Sequence, residues 1–225
     1  MESTHIIPSG GPTFAPHPLR AAKARIAPKV VATSGWRSAL PLLRGSQVTL
    51  RELQSSDAVS LHAMLTTEEV TRFISPPPTT VEGFEGFIAW TIREREAGHA
   101  MCFGIVPHGL TDAVGIIQVR LLDGGDTAEW GFALGSPFWG TGMFVDGARQ
   151  VLAFLFERTG LMRLEARSAV MNGRGNGALK KLGSVAEGVL RSGLRRGSEA
   201  LDQVMWSMLR EDWFGLAPVE TTVRH

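Results

Sequence analysis

The chain has 225 residues, 44% hydrophobic and 20% charged, so it can bury an ordinary core and fits one domain of roughly 150 to 200 residues plus an appendage. A formal net charge of +1 provides neither a basic field for nucleic acid nor an acidic solvating tail. No apolar run approaches the ~18 residues of a membrane helix and no signal-peptide pattern opens the chain, so we expect neither nucleic-acid nor membrane partners.

The single cysteine, Cys102, cannot form an internal disulfide, which favours a reducing cytoplasm over secretion. It lies in an apolar run, and we expect a buried packing thiol, with a nucleophile as the alternative.

Residues 1–44 are rich in Pro, Gly, Ser, Ala and basic side chains and show no apolar periodicity. This composition predicts a flexible extension, because such a segment cannot bury enough surface to offset its ordering entropy. Trp36 and the leucine-rich run at 40–43 could dock its end on the domain. Its basic residues could instead form an interaction or targeting arm.

Apolar spacing predicts the elements up to residue 134. In chain order they are a strand at 47–53, a helix capped by Ser55-Ser56-Asp57, a second helix at 81–97 beyond the proline break at 75–80, and strands at 101–106, 114–122 and 127–134. The turn at 123–126 has hairpin chemistry, so the later strands should form an antiparallel meander.

The second half alternates helices and strands. A long helix at 142–158 stops at Gly160, a strand at 163–170 follows, then a short helix at 175–182 and a hairpin of strands at 185–195 and 200–209. The strand-helix-strand unit should place the strand at 163–170 parallel to the one at 127–134. We therefore predict a mixed α/β (α+β) domain at 45–215, with a mostly antiparallel twisted sheet of about seven strands, about four helices and a tail at 216–225.

The joint at 136–144 connects a strand to the long helix. Gly140 and Gly142 straddle one residue directly before the helix. Amides of such a loop can converge on an anion, helped by the positive end of the helix dipole, and glycine lets the backbone approach phosphate without a Cβ. Phosphate binding is one interpretation, and a tight turn that caps the helix is the other.

Three motifs follow one another around this joint: Trp130-Gly-Phe-Ala-Leu, Phe138-Trp-Gly-Thr-Gly, and Asn172-x-x-Gly175-x-x-x-Leu179-x-Lys181-Leu182-Gly183. Their order and spacing resemble the GNAT acetyltransferase superfamily, and especially its RimJ/RimL-type branch, over about residues 47–209. The resemblance implies that acetyl-CoA is a cosubstrate and that a primary amine, either a protein N-terminal amine or a small molecule, attacks it directly in a ternary complex.

The resemblance also implies a sheet splayed between the fourth and fifth predicted strands, with the pantetheine arm in the gap. The implied acetyl-CoA ligands are the backbone of Phe132, Ala133 and Leu134, the amides of Trp139, Gly140, Thr141, Gly142, Met143 and Phe144, and the side chain of Asn172.

Some positions depart from the family pattern. Pro137 stands where the family often has Gln or Arg, Asp146-Gly147 replaces the usual Glu-Ala pair, and Ser184 replaces an aromatic residue. These departures could weaken cofactor affinity, although the backbone loop is kept.

Acetyl transfer needs a neutral amine, a polarised thioester carbonyl and a proton for the leaving thiolate. Glu129 occupies the acidic position of the RimL-like pattern and is the candidate general base, with a salt-bridge partner or exposed strand residue as the alternative. The amide of Phe132 is the candidate group that polarises the carbonyl, a role that the resemblance suggests.

No general acid is evident, because the tyrosine and serine positions of the family are Leu179 and Gly175 here. A water held by Asn176 could serve, or the thiolate could leave unassisted, since its pKa is about 8.5. A non-catalytic acyl-CoA-binding or regulatory module is a third interpretation, and a structural interaction protein with a working N-terminal arm is a fourth.

Metal chemistry is not predicted, because His62, His99 and His108 lack a ligand spacing. Substrate recognition should fall to the first two helices around Phe73, Phe84 and Trp90, and to the last hairpin. There the arginines at 191, 195 and 196 form either a solvated face or a site for an acidic group. The acceptor and the oligomeric state, a homodimer included, stay open.

Overall fold

One twisted sheet forms the centre of the computed structural model, which describes residues 34–122 and 124–216. Its strands in this part of the chain are β1 (Leu43–Arg44), β2 (Val48–Glu52), β3 (Ala100–Pro107), β4 (Gly115–Leu121), β5 (Thr127–Leu134), β6 (Arg163–Ala169), β7 (Val185–Arg196) and β8 (Glu199–Leu209). The helices are α1 (Asp57–Leu65), α2 (Glu68–Thr71), α3 (Val81–Ala97), α4 (Met143–Arg158), α5 (Gly173–Leu182) and α6 (Arg210–Leu216), with 3-10 turns at Ser34–Arg37 and Ser136–Phe138.

The strands lie in the order β1-β2-β3-β4-β5-β6-β8-β7, and β5 and β6 are the parallel neighbours. The other neighbouring pairs are antiparallel. The predicted mixed α/β (α+β) class and the parallel strand-helix-strand unit are confirmed. The sheet has eight strands rather than about seven, because the two-residue β1 adds an edge.

The sheet splits between β5 and β6, which correspond to the fourth and fifth predicted strands, as the resemblance implied. Their pairing ends at Trp130 opposite Ala166. Beyond that point β5 stays paired with β4 as far as Leu134, and β6 stays paired with β8 as far as Ala169. The ends of the two central strands therefore enclose a gap, with residues 131–134 on one side and 167–169 on the other.

Each face of the sheet carries a separate apolar core. Helix α4 covers one face, where Phe103, Val151, Leu155 and other side chains are fully buried. Helices α1 and α3 cover the β2–β5 half of the opposite face, where Leu61, Phe84 and Ile88 pack with Cys102. Cys102 is buried and burial raises the pKa of its thiol, which fits the interpretation of a packing residue.

The segment before β1 packs on the domain. Trp36 is 7% exposed and belongs to the core beneath α4, and Leu40 and Leu43 pack against that core. The end of the extension therefore docks on the domain through the residues that the sequence indicated. Arg95 of α3 also donates a hydrogen bond to the carbonyl of Arg37. Most of the predicted extension, residues 1–33, and most of the predicted tail, residues 217–225, lie outside the described residues, so both domain boundaries stay predictions.

The first helix is held by Asp57 and not by a serine cap. Ser56 makes no side-chain cap bond, whereas the fully buried Asp57 accepts from the Arg51 guanidinium at 2.7 and 2.8 Å. It also accepts from the amides of Gln54 and Ala113 at 2.7 and 2.8 Å. Burial alone would raise the pKa of Asp57, but these hydrogen bonds lower it below its ordinary value. One carboxylate thus ties β2, α1 and the segment just before β4 together.

Across residues 34–122 and 124–216, none of the helices combines the length and the apolar character needed to cross a membrane.

Candidate functional site

The loop between β5 and α4 is built on two left-handed glycines. Gly140 has φ +77° and Gly142 has φ +89°, conformations that side chains with a Cβ rarely adopt. Trp139 fastens the loop to the sheet, because its Nε1 donates to the Leu134 carbonyl at 2.7 Å, and the Thr141 hydroxyl donates to the Phe138 carbonyl at 2.8 Å. The loop is therefore fixed in shape although its three central residues, 140–142, are exposed.

Backbone donors cluster at this point. Within the described chain, the amides of Gly140, Thr141, Gly142, Phe144 and Val145 have no protein hydrogen-bond partner. The other two predicted donors are engaged: the Trp139 amide donates to Ser136 at 3.1 Å and the Met143 amide contacts the Thr141 hydroxyl at 3.4 Å. Free amides at the positive end of a 16-residue helix are the arrangement that binds phosphate.

Asp146 fixes the start of α4 to the edge of the sheet. Its Oδ1 accepts from the Ser46 amide at 2.9 Å and the Ser46 hydroxyl at 3.0 Å, and its Oδ2 accepts from the amides of Gln47 and Val48 at 2.8 and 3.2 Å. Burial raises the pKa of Asp146, but these hydrogen bonds more than offset it and hold the pKa below its usual range.

The next residue, Gly147, is tightly packed. A Cβ on it would lie 3.0 Å from a Leu50 methyl and 3.1 Å from a Val48 methyl. Glycine at 147 therefore fits where β2 packs closely against α4, and a Cβ would crowd both side chains.

Two polar side chains that sequence reasoning missed lie beside the loop. The guanidinium carbon of Arg174, at the start of α5, is 4.7 Å from the centre of the Trp139 ring. The Gln47 Nε2 lies 3.2 Å from where a Cβ on Gly142 would be. The loop itself has Pro137 where the family often has Gln or Arg, so it lacks a side-chain donor or cation at that position. Gln47 brings a donor and Arg174 brings a cation from parts of the chain distant in sequence.

Two backbone amides of β5 face the gap. Leu122 donates to the Thr127 carbonyl at 2.8 Å and Gly135 donates to the Val114 carbonyl at 2.9 Å, so the odd-numbered residues of β5 turn their backbone groups to β4. The amides of Phe132 and Leu134 consequently face the gap, and the predicted contact from Ala133 falls on a residue whose backbone faces β4. The ring of Phe132 packs on that of Phe144, with centroids 4.2 Å apart.

Across the gap, Asn172 caps α5. Its Oδ1 accepts from the Gly175 amide at 2.9 Å, which is the helix-cap role, while its Nδ2 has no partner in the described structure. Asn176 is engaged on both sides: Nδ2 donates to the carbonyls of Ala169 and Val170 at 2.9 and 3.3 Å, and Oδ1 accepts from Trp206 at 2.9 Å. Its use in holding a water stays a prediction.

Glu129 is an ion-pair partner in the structure. Its Oε2 lies 2.6 Å from Arg120 Nη2 on β4, and its Oε1 lies 3.4 Å from Arg167 Nε on β6. It stands one residue before the end of the β5–β6 pairing and is 21% exposed, on the sheet face opposite Trp130. Glu129 is therefore a salt-bridge partner, as the alternative interpretation had it. Its role as general base stays a prediction.

The predicted recognition residues have different environments. Phe84 is 1% exposed and makes edge contacts with His62 and Phe87, so its ring belongs to the core. Trp90 is 38% exposed. The tip of the β7–β8 hairpin reaches the end of α2, where Arg196 Nη1 donates to the carbonyl of Arg72, the residue after the helix, at 2.9 Å. Among the residues that the structure describes, no three or more His, Cys, Asp and Glu side chains form a metal site.

A sheet split between its parallel strands, with an amide-lined helix start at the mouth of the split, defines an acyltransferase of mixed α/β architecture. Residues 47–185 match the family model described as the acetyltransferase (GNAT) domain, so the chain belongs to the GNAT acetyltransferase family. The predicted enzyme class, an N-acetyltransferase, is confirmed.

A curated relative supports this assignment, and solved acetyltransferase structures share the fold. The uncharacterized N-acetyltransferase p20 of Bacillus licheniformis is 26% identical over 171 residues, which are 75% of this chain and 96% of that protein. The crystal structure of a GNAT-family acetyltransferase from Bacillus anthracis superposes with a TM-score of 0.68 at 20% identity, covering 76% of this chain and 99% of the other. RimL, the ribosomal L7/L12 α-N-protein acetyltransferase, in complex with coenzyme A gives 0.69 at 16% identity, covering 75% and 98%.

Proposed function

We propose that the protein transfers the acetyl group of acetyl-CoA to a primary amine, on a protein N-terminus or a small molecule, in a ternary complex. The observation that carries the proposal is the split between β5 and β6, which ends at the five unpartnered amides of the loop and α4. Similarity to RimL, whose structure holds coenzyme A, supports the same cosubstrate.

The residues around the gap fit this cosubstrate. The loop amides supply donors for the pyrophosphate, and Arg174 and Gln47 stand beside them as a cation and a neutral donor. Asn172 keeps a free Nδ2 for the pantetheine arm, and the amides of Phe132 and Leu134 line the gap. The donor set is therefore matched to an anionic head with an amide-containing arm.

For the chemistry, the Phe132 amide polarises the thioester carbonyl and stabilises the negative charge that forms on its oxygen. Glu129, directly or through a water, takes the proton of the attacking amine. Arg120 and Arg167 contact one oxygen each, and each oxygen keeps a further lone pair that can accept the proton. A cytoplasmic location is part of the proposal, and the single buried cysteine supports it.

Binding is tested first by thermal unfolding with and without acetyl-CoA. A ligand at 100 times its Kd stabilises by ~2.7 kcal/mol, which raises the Tm of a chain of this size by about 5 to 11 °C. ATP, which carries phosphates but no pantetheine arm, is the control and should give a smaller shift. A Tm that does not respond to acetyl-CoA would contradict the proposal.

Turnover is tested by thiol release from acetyl-CoA across a panel of amines. The panel should contain peptides with free N-termini, the same peptides with blocked N-termini and free lysines, and small amines. Release with one of these classes above the hydrolytic background identifies the acceptor. Binding without release would favour the non-catalytic acyl-CoA-binding module.

A further inference from the structure

One buried hydroxyl in the described chain has no hydrogen bond. Ser168, near the end of β6, is 6% exposed, and its Oγ is the single buried side-chain polar atom without a partner in residues 34–122 and 124–216. Buried polar groups are nearly always bonded, since an unmade hydrogen bond costs free energy. A buried hydroxyl that no protein group satisfies is therefore a candidate for contact with a bound molecule.

Ser168 lies at the level of the gap where the chemistry is proposed. The last β5–β6 pair is Trp130 with Ala166, so Phe132 and Ser168 are each two residues farther along their strands, on opposite sides of the split. The Phe132 amide faces the gap from β5. Ser168 turns its backbone to Val204 of β8, and by strand alternation its side chain lies on the same face of the sheet as those of Trp130 and Phe132.

The hydroxyl also lies against the start of α5. A Cβ on Gly175 would stand 2.9 Å from Ser168 Oγ and 2.6 Å from Asn172 Nδ2. The unpartnered hydroxyl and the unpartnered amide therefore both border the space that a side chain at residue 175 would occupy. A Cβ at 175 would crowd both groups, and glycine leaves room for the serine hydroxyl of the strand.

Other candidates for a proton donor are occupied or lack the chemistry. Both polar groups of Asn176 already have protein partners. Leu179 is 1% exposed within the core and has no acidic proton. The Thr141 hydroxyl donates to the Phe138 carbonyl at 2.8 Å.

We propose that Ser168 is the proton donor of the acetyl transfer, an inference that rests on the proposed function. As the amine nitrogen bonds to the carbonyl carbon and the carbon–sulfur bond breaks, the sulfur takes the electron pair and the Ser168 hydroxyl gives it a proton. The serine oxygen then regains a proton from the one that the attacking nitrogen loses, by way of water or Glu129. The products are the acetamide and the free thiol, and the serine is unchanged.

The test compares S168A with S207A. Ser207 is a buried serine on the same sheet, but its hydroxyl donates to Glu187 at 2.7 Å, away from the gap. We expect S168A to lower kcat by about ten- to a hundredfold, less than general acids usually contribute because a thiolate can leave without full assistance, and to change the KM for acetyl-CoA by less than about twofold. S207A should leave kcat unchanged. S168C, which restores a proton donor of similar size, should recover part of the lost turnover.

Stability gives a readout that does not depend on turnover. Removing an unbonded hydroxyl should raise the Tm of S168A without ligand by about 2 to 4 °C, whereas S207A should unfold at a lower temperature than the wild type. A lower Tm for S168A would mean that the hydroxyl is bonded in the resting protein, and would overturn the inference. The solvent deuterium isotope effect on kcat should also change in S168A, which a packing role would not cause.

The two proposals fail in different ways. Wild-type protein that binds no acetyl-CoA or acetylates no amine in the panel overturns the proposed function together with the role of Ser168. Wild-type turnover that survives in S168A overturns the role of Ser168 alone.

Discussion

Asp146 ties the start of α4 to residues 46–48, and replacing it with asparagine tests that connection. The carboxylate accepts four hydrogen bonds from residues 46–48, two on each oxygen. Asparagine has nearly the same size and can keep the two bonds on Oδ1. Its NH2 group, however, replaces Oδ2 and faces the amides of Gln47 and Val48, which are donors themselves.

The magnitude follows from those two amides. Each loses a charge-assisted acceptor at 2.8 or 3.2 Å in a partly buried turn. With about 1 to 2 kcal/mol for each lost bond, D146N should cost about 3 kcal/mol of folding free energy. For a chain of this length, this corresponds to a Tm about 6 to 12 °C lower.

The assay is thermal unfolding followed by circular dichroism at pH 7 and at lower pH. E96Q is the matched control, because Glu96 is 62% exposed and should change stability by less than about 0.5 kcal/mol. The folded-state pKa of Asp146 is lowered, so its contribution is complete above the unfolded pKa of about 4 and is lost as the pH falls through the folded value. The difference in Tm between wild type and D146N should therefore disappear in acid. A Tm for D146N within 1 or 2 °C of wild type at pH 7 would refute the reasoning.

The other substitutions address the binding site and the base. G142A forces a Cβ at φ +89° and 3.2 Å from Gln47, so it should reduce the Tm shift caused by acetyl-CoA; an undiminished shift would argue against the loop as the phosphate site. R174A should weaken acetyl-CoA binding about tenfold at low salt and less at high salt, whereas R191A, which removes an exposed arginine of the hairpin, should not; equal affinities would exclude Arg174. E129Q should lower kcat and flatten the pH–rate profile with acetyl-CoA binding retained; unchanged turnover would remove Glu129 from its role.

Local sequence patterns predicted the helices and strands correctly where an element is long and periodic. The helix predicted at 142–158 is Met143–Arg158, and the final hairpin has the predicted strands to within one residue at each end. The two-residue β1, the four-residue α2 and the seven-residue α6 were missed, because segments this short hold too few residues to show a period.

The site was predictable only where it is local in sequence. The glycines at 140 and 142 specify their own left-handed turn, so the loop could be found from the chain alone. Gln47, directly before β2, and Arg174 of α5 reach that loop from distant parts of the chain, and nothing in their own neighbourhoods marks them. Glu129 was found by its position in the family pattern, but its two arginines come from neighbouring strands whose register the sequence does not specify.

Ser168 on β6 is the residue that we propose in place of the hydroxyl that the family pattern has at position 175. On β6 it has the same parity as Leu164 and Ala166, so alternation alone places it inward as an ordinary core residue. Its closeness to Gly175 arises because Asn176 binds the Ala169 carbonyl and draws the start of α5 onto the end of β6. Gly175 has no hydroxyl at the position where the family pattern has a serine. In our proposal the unbonded hydroxyl of Ser168 supplies the proton from the strand instead.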